Sequence, residues 1–261
     1  SDAWWEIFES FELNQMIQAA LENNPTIHSV RQKIEEAKQK AQIAKSKLYP
    51  YIFFDADGTW SFISKQGLQR AYNPNFPKQA QIIDLSLSFN YEFDFWDKHR
   101  NIYRSYLSLE QAERAELSQI QLIIGTAVCR TYFSLQANLL KQKIFQDLLA
   151  IRTHIAHLQK ALLSCAIDDL SPVLIANQEV HSAEKLLCSI EEEIEINRHL
   201  LNLFMGKGPD ERIESSISCF QESLPLVIPD TLSLDLLSRR PDLMAQIWRL
   251  EGLAAEVGAA K

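Results

Sequence analysis

Glycine occurs only seven times in 261 residues, while Ala, Leu, Ile, Glu, Gln and Lys dominate. That balance favours long helices over a sheet-rich fold. No apolar run approaches 18 residues, which excludes a transmembrane helix. Positive charge is in short supply as well: the net charge is −8, and nucleic-acid binding needs a basic face. The four cysteines, Cys129, Cys165, Cys188 and Cys219, are far apart, with no CxxC and no histidine at ligand spacing. They read as unpaired small hydrophobes on helices. No signal peptide is seen, and Ser1-Asp2-Ala3-Trp4-Trp5 opens as a mature or trimmed product would.

Signs of catalysis are missing too. Gly206-Lys207-Gly208 is too short to cradle a phosphate and lacks the following Ser or Thr, so a helix C-cap is its expected role. His154 and His157 are three residues apart but have no third ligand nearby in sequence. Glu191-Glu192-Glu193 with Glu195 reads as a solvated helix face. The expectation is a protein without enzymatic activity, cofactor or metal.

What is present is an internal repeat. Pro25–Lys45 returns as Pro241–Lys261, with Pro25/Pro241, Glu35/Glu251, Ala44/Ala260 and Lys45/Lys261 identical. In the first copy Ile27, Val30, Ile34, Ala37, Ala41, Ala44 and Leu48 step by three and four. Leu243, Leu250, Leu253, Val257 and Ala260 repeat the phase, which predicts the same buried helix face in both copies. A duplicated architecture follows, with the sequence holding its first repeat and only the start of the second.

Between the copies the period changes. Phe11–Leu21 reads as a short amphipathic segment ended by Asn23-Asn24, and Pro25 opens a helix that Tyr49-Pro50 stops. In Tyr51–Ile63 the even positions are apolar or small: Ile52, Phe54, Ala56, Gly58, Trp60 and Phe62. In Ile82–Phe95 the odd positions are Ile83, Leu85, Leu87, Phe89, Tyr91, Phe93 and Phe95. The alternate positions carry Asp55, Asp57, Asp84, Glu92 and Asp94. Each run slightly exceeds the 9–11 residues that a tilted strand needs to cross a bilayer, and aromatics at the ends of the apolar faces suit an interfacial belt. A soluble half-buried hairpin is the plainer alternative, but the chain offers no further strands to complete a sheet.

From Lys98 to Leu163 nothing interrupts a helix of roughly 100 Å except Gly125. Its second half carries Leu140, Ile144, Leu148, Ile151, Ile155, Leu158 and Leu162. After a turn at Ser164–Ser171, Pro172 opens another helix with Val173, Ala176, Val180, Ala183, Leu187, Ile190, Ile194 and Leu201 in heptads. Two seams across a short turn predict an antiparallel coiled-coil hairpin. Asp168 and Asp169 lie in that turn. Carboxylates favour a helix N-terminus; where several hairpins converge around a pore, they would also form an acidic ring selecting cations.

Several of these segments resemble the outer-membrane efflux factors of tripartite exporters, especially the branch with an N-terminal lipid anchor, although no cysteine opens this sequence. Trp4-Trp5-x-x-Phe8 through Asn24-Pro25 is similar to that family's opening segment. Ile34-Glu35-x-Ala37 and Leu48-Tyr49-Pro50 match the helix leading into its first strand. Phe89–Trp96 resembles the motif ending its second strand, with Trp96-Asp97 where the family has Phe-Gly. Thr131-Tyr132-Phe133-x-Leu135 fits a Tyr-x-x-Leu signature. Leu236-Leu237-x-Arg239-Arg240-Pro241-Asp242-Leu243 fits the Arg-Arg-Pro-Asp lead-in to its second repeat.

The resemblance implies a mainly α fold with a β-hairpin: long antiparallel coiled-coil helices plus two transmembrane strands, one repeat of a trimeric α/β-barrel channel. The expected organisation is an opening segment (1–24), a first-repeat helix (25–48), a transmembrane β-hairpin (49–96), a periplasmic helical hairpin (97–205), an irregular equatorial segment (206–240) and the start of the second repeat (241–261). Expected partners are two further copies in a homotrimer, outer-membrane lipid, a periplasmic adaptor and an inner-membrane pump, with no nucleic acid. The implied function is passive exit of drugs, metals or other small solutes through the outer membrane. Asp168 and Asp169 are expected at the periplasmic mouth; Asp55, Asp57, Asp84, Glu92 and Asp94 are expected on the water-facing side of the strands. A soluble periplasmic coiled-coil scaffold or adaptor is the alternative.

Overall fold

A computed structural model describes residues 3–64, 66–75, 77–167, 169–209, 211 and 239–261. After a 3-10 turn at Trp4–Phe8 come α1 (Phe11–Asn23), α2 (Pro25–Ser46), β1 (Tyr51–Phe62), α3 (Leu68–Tyr72), β2 (Gln79–Asn90), α4 (Lys98–Ser164), α5 (Leu170–Phe204) and α6 (Pro241–Ala260). The expected irregular stretch from Asp210 onward lies almost entirely outside the described residues. Two compact units are formed, one from Ser1–Ile34 and Ala112–Gln246, the other from Glu35–Gln111 and Ile247–Lys261.

In the first unit, the Ser10 hydroxyl accepts the Leu13 amide at 3.3 Å and starts α1. Leu13, Ile17 and Ala20 then recur at helical spacing and are fully buried. They join Ile27 of α2, Val128, Tyr132 and Leu135 of α4, and Ile190, Ile194 and Leu201 of α5 in one apolar core. Tyr132, from the Tyr-x-x-Leu segment, fills the centre, and its hydroxyl lies 3.2 Å from the Ser10 hydroxyl and 3.4 Å from a Glu12 carboxylate oxygen. Edge-to-face rings of Trp4, Trp5, Phe8 and Phe133 extend the core toward the chain start.

α5 ends as its sequence predicts. Gly206 takes φ 69, and the Lys207 amide reaches back to the Asn202 carbonyl at 2.9 Å, the bond pattern of a left-handed glycine cap. A Cβ at Gly206 would meet the Asn23 carbonyl oxygen at 2.5 Å, so two reasons fix glycine there.

α4 and α5 form the expected antiparallel hairpin, and on α5 the expected face is packed: Val173, Ala176, Ala183, Ile190, Ile194 and Leu201 are buried. On α4 the expectation fails. Of the predicted seam, Leu140, Ile144, Ile151, Ile155, Leu158 and Leu162 are exposed and Leu148 alone is half-buried. The face against α5 instead runs through Leu135, Asn138, Gln142, Phe145, Leu149, Arg152 and Ala156. Polar pairs run along that contact: Asn138 donates to Glu193 at 3.1 Å, Gln142 to Glu191 at 3.4 Å, and Arg152 pairs with Glu179 at 3.3 Å, so α4 turns to α5 a face that carries polar side chains as well as apolar ones. The apolar heptads mark a face to be buried, but this hairpin does not bury it.

The second repeat helix departs in the same way. α2 buries the predicted face, with Ile27, Val30, Ala41 and Ala44 inside. In α6 the predicted Leu243, Leu250, Leu253 and Val257 are exposed, and the opposite side, with Ala245 and Gly252, is buried. Small residues explain it, because they let helix backbones approach closely. A Cβ on Gly252 would stand 3.4 Å from the Ser105 carbonyl oxygen, and one on Gly258 3.1 Å from the side-chain nitrogen of Asn101. Sharing a heptad phase does not mean sharing a buried face.

In the second unit β1 and β2 form a two-stranded antiparallel sheet. The loop between them contains α3, a turn of helix the sequence did not predict. β2 begins three residues earlier than the alternation indicates and stops at Asn90. Tyr91–Phe95 keeps the alternating letters without the strand.

Candidate functional site

The hairpin register pairs Tyr51 with Asn90, Ala56 with Leu85, and Phe62 with Gln79. Directly paired residues share a face of a sheet. One face therefore carries Ile52/Phe89, Phe54/Leu87, Ala56/Leu85 and Gly58/Ile83, followed by Trp60/Gln81. The other carries Phe53/Ser88, Asp55/Ser86, Asp57/Asp84 and Thr59/Ile82. Ile52, Phe54, Ile83, Leu85, Leu87 and Phe89 are each about two-thirds exposed, from 65% to 73%. Nothing among the described residues covers that apolar face, and both outer edges of the sheet are unpaired.

Dimensions fit a bilayer. Each strand has 12 residues, about 40 Å of chain, or about 28 Å of depth at a tilt of about 45°, against a hydrocarbon core of about 30 Å. Tyr49, Tyr51, Phe53, Tyr91, Phe93, Phe95 and Trp96 gather at the base of the hairpin, all exposed, as a belt at a membrane–water boundary would be. No described helix is long and apolar enough to cross a membrane.

Five carboxylates were expected on the water-facing side of the strands. The structure puts Asp55, Asp57 and Asp84 on the polar face, with Asp57 directly opposite Asp84. Glu92 and Asp94 lie beyond the end of β2 and are not strand residues. The alternation continues there because those side chains serve the start of α4. A carboxylate oxygen of Asp94 accepts the Arg100 amide at 2.9 Å, and a Glu92 oxygen stands 3.3 Å from the His99 ring. Desolvation pushes the Asp94 carboxyl upward, but amide hydrogen bonds from Arg100, His99 and Lys98 and the charge of His99 outweigh it and hold the group below its ordinary value.

Asp97, standing where the resemblance expects glycine, takes φ 55. Aspartate tolerates this left-handed conformation better than most residues. Its carbonyl accepts the Asn101 amide at 2.8 Å and its carboxylate pairs with Arg100 at 2.8 Å. The turn is thus preserved with different chemistry.

At the other end of α4, Asp168 lies outside the described residues. Asp169 immediately precedes α5 with extended backbone (φ −87, ψ 172). The tip is closed by Ala166 at φ 57 and by the Ile167 amide bonding to the Leu162 carbonyl at 3.1 Å. Cys165 is exposed beside it. His154 and His157 are exposed on α4.

Sequence reasoning used Asn24 only as a helix stop and missed what its side chain does. Its side-chain oxygen accepts the Thr26 amide at 2.9 Å, starting α2, and its amide donates to the Phe204 carbonyl at 2.8 Å, ending α5. Asn-Pro before an apolar run was the available signal for the first role; nothing local signals the second.

A two-stranded sheet with an uncovered apolar face, joined to a long helical hairpin, defines the class of an outer-membrane channel repeat. The chain belongs to the outer membrane efflux protein family, whose profile matches residues 16–207. It is 26% identical over 99% of its length to the pyoverdine export outer membrane protein OpmQ of Pseudomonas putida, covering 55% of that protein. It is 24% identical over 99% of its length to the fusaric acid resistance protein FusA of Burkholderia cepacia, covering 48%. The chain thus spans about half the length of the curated relatives it matches. Its fold superposes on the outer membrane channel CmeC of Campylobacter jejuni with a TM-score of 0.87 at 20% identity, covering all of this chain and 55% of that one.

Proposed function

We propose that this chain supplies one repeat of an outer-membrane exit duct in a tripartite efflux system, with β1 and β2 crossing the outer membrane as part of a barrel. The observation that carries this reading is the hairpin itself. Among the described residues its apolar face is bare and both its edges lack partners, while its polar face bears Asp55, Asp57 and Asp84. Only closure with further strands satisfies such edges in lipid. Transport is passive: drugs, metals or other small solutes pass along a wetted tunnel, and an inner-membrane pump supplies the energy through a periplasmic adaptor.

The assembly is a homotrimer. The bare stripe Leu140–Leu162 on α4 and the bare face Leu243–Val257 on α6 supply surface for it. Asp168 and Asp169 sit at the periplasmic mouth, and Asp55, Asp57 and Asp84 face the water inside the barrel. The segments divide as residues 1–24, 25–48, 49–96, 97–205, 206–240 and 241–261, with the membrane strand proper ending at Asn90 in the third.

Single cysteines placed in turn from residue 52 to residue 60, in a background without the native thiols, test the reading in membranes. Environment-sensitive labels should alternate, with 52, 54 and 56 in lipid and 53, 55 and 57 in water. Uniform water access along the run would overturn it.

A further inference from the structure

Within the second unit lies a cavity of about 480 Å³ formed by α2, the first turns of α4 and the end of α6, in the size range of small-ligand sites. Its wall is of three kinds. Ile43 and Ile102, with alanines of α2 and α6, give an apolar floor; Lys40 and Lys47 are basic; Glu256 is acidic. The buried Ser105 hydroxyl donates to one Glu256 oxygen at 3.1 Å and fixes that carboxylate toward the cavity wall.

Position along the chain supplies the second half of the argument. Lys47 precedes the first residue of β1 by four positions, and Ile102 follows the first residue of α4 by four, or about 6 Å of helix. The polar layer of a bilayer is about 5–7 Å deep on each side of the hydrocarbon. A membrane boundary at the aromatic belt Tyr49–Phe53 and Tyr91–Trp96 therefore places the Lys47–Ile102 end of this cavity level with lipid headgroups, and its Ser105–Glu256 end about 5 Å further from the hydrocarbon, on the side toward which a headgroup ammonium extends.

We propose that the cavity binds the headgroup of a phosphodiester lipid carrying a primary ammonium, of the phosphatidylethanolamine type. Lys47 takes the phosphodiester, joined by Lys40 when that side chain leaves Glu36, its ion-pair partner at 2.7 Å. The free Glu256 oxygen takes the ammonium, and the first acyl carbons lie on Ile43 and Ile102. Both signs of charge in the wall match a zwitterion: a purely anionic headgroup would leave Glu256 facing a phosphate, and a quaternary ammonium would have no hydrogen to donate to it.

The inference rests on the membrane reading for the depth of the cavity, but its test does not need insertion. Monomeric dihexanoyl phosphatidylethanolamine, below its micelle concentration, is titrated into the full chain in mild detergent and followed by native mass spectrometry. The glycerol and choline analogues and inorganic phosphate run in parallel. Ethanolamine lipid should bind at least tenfold tighter than the choline analogue and than phosphate. Lys47→Gln should weaken it about tenfold, and Glu256→Gln, which keeps the Ser105 hydrogen bond, should erase the preference over choline while leaving the protein folded. Equal binding of all three lipids, phosphate binding alone, or binding unchanged in both variants would overturn the proposal. Failure of the membrane reading would show instead in the cysteine pattern above, whatever lipid binds.

Discussion

The side chain of Asn24 joins the start of one helix to the end of another: it donates to the Phe204 carbonyl at 2.8 Å while accepting from Thr26. Asn24 is 6% exposed, so neither group is readily replaced by water. Asn24→Ala should cost about 2 kcal/mol, from a lost N-cap and an unsatisfied carbonyl. Asn24→Asp should cost less, because it keeps the cap and loses only the donor. Denaturant midpoints at constant slope would measure both.

Gly206 and Gly125 make opposite predictions. At Gly206, alanine meets both a left-handed backbone and the Asn23 carbonyl at 2.5 Å, and the loss should exceed about 2 kcal/mol. At Gly125, inside α4, a Cβ meets nothing within 4 Å, so alanine should add about 0.5–1 kcal/mol. Thermal melts of the two variants should move in opposite directions.

Asp94 gives the chain an acid-sensitive joint. Its folded carboxyl is held below its ordinary value, so its stabilising effect is complete above the unfolded value near 4 and is lost as pH falls through the folded one. Protection factors of the Lys98, His99 and Arg100 amides, taken against the intrinsic rate at each pH, should fall below about pH 4 in the parent. In Asp94→Asn the protection factors should already be low at neutral pH and change little further on acidification.

The thiols should separate by reactivity. Cys129 is buried in the first unit's core, and desolvation pushes its thiol up to about 11, whereas Cys165 and Cys188 are exposed. A maleimide at pH 7.5 should label the last two in the folded chain and reach Cys129 only after denaturation. Equal labelling rates by peptide mapping would contradict the placement of Cys129.

The sequence disclosed element types far better than it disclosed what each face touches. Alternation in Tyr51–Ile63 and the unbroken run from Lys98 to Leu163 are local properties, set by side-chain period and propensity. Both survive in the structure within a residue or so. The end of β2 was misread because Glu92 and Asp94 continue the polar alternation while answering the amides and ring at the start of α4. The seams were misread for a broader reason. An apolar heptad says that a face is to be covered; it does not say by which neighbour. On α4 the packed side mixes polar and apolar residues, with Asn138 paired to Glu193 and Arg152 to Glu179 across it, so an apolar count does not find it. On α6 the decision falls to Gly252 and Gly258. Of the site, Asp55, Asp57 and Asp84 were legible from parity alone, but the direct opposition of Asp57 and Asp84 depends on a register that only the paired strands reveal.

Among the described residues, none from β1 or β2 belongs to the core built on Leu13, Tyr132 and Leu201. Construction can therefore proceed in stages. The helical core can close in water, without lipid and without further strands, while the hairpin still waits for partners. What is left to find neighbours is then the hairpin alone, whose two outer edges have no partner among the described residues.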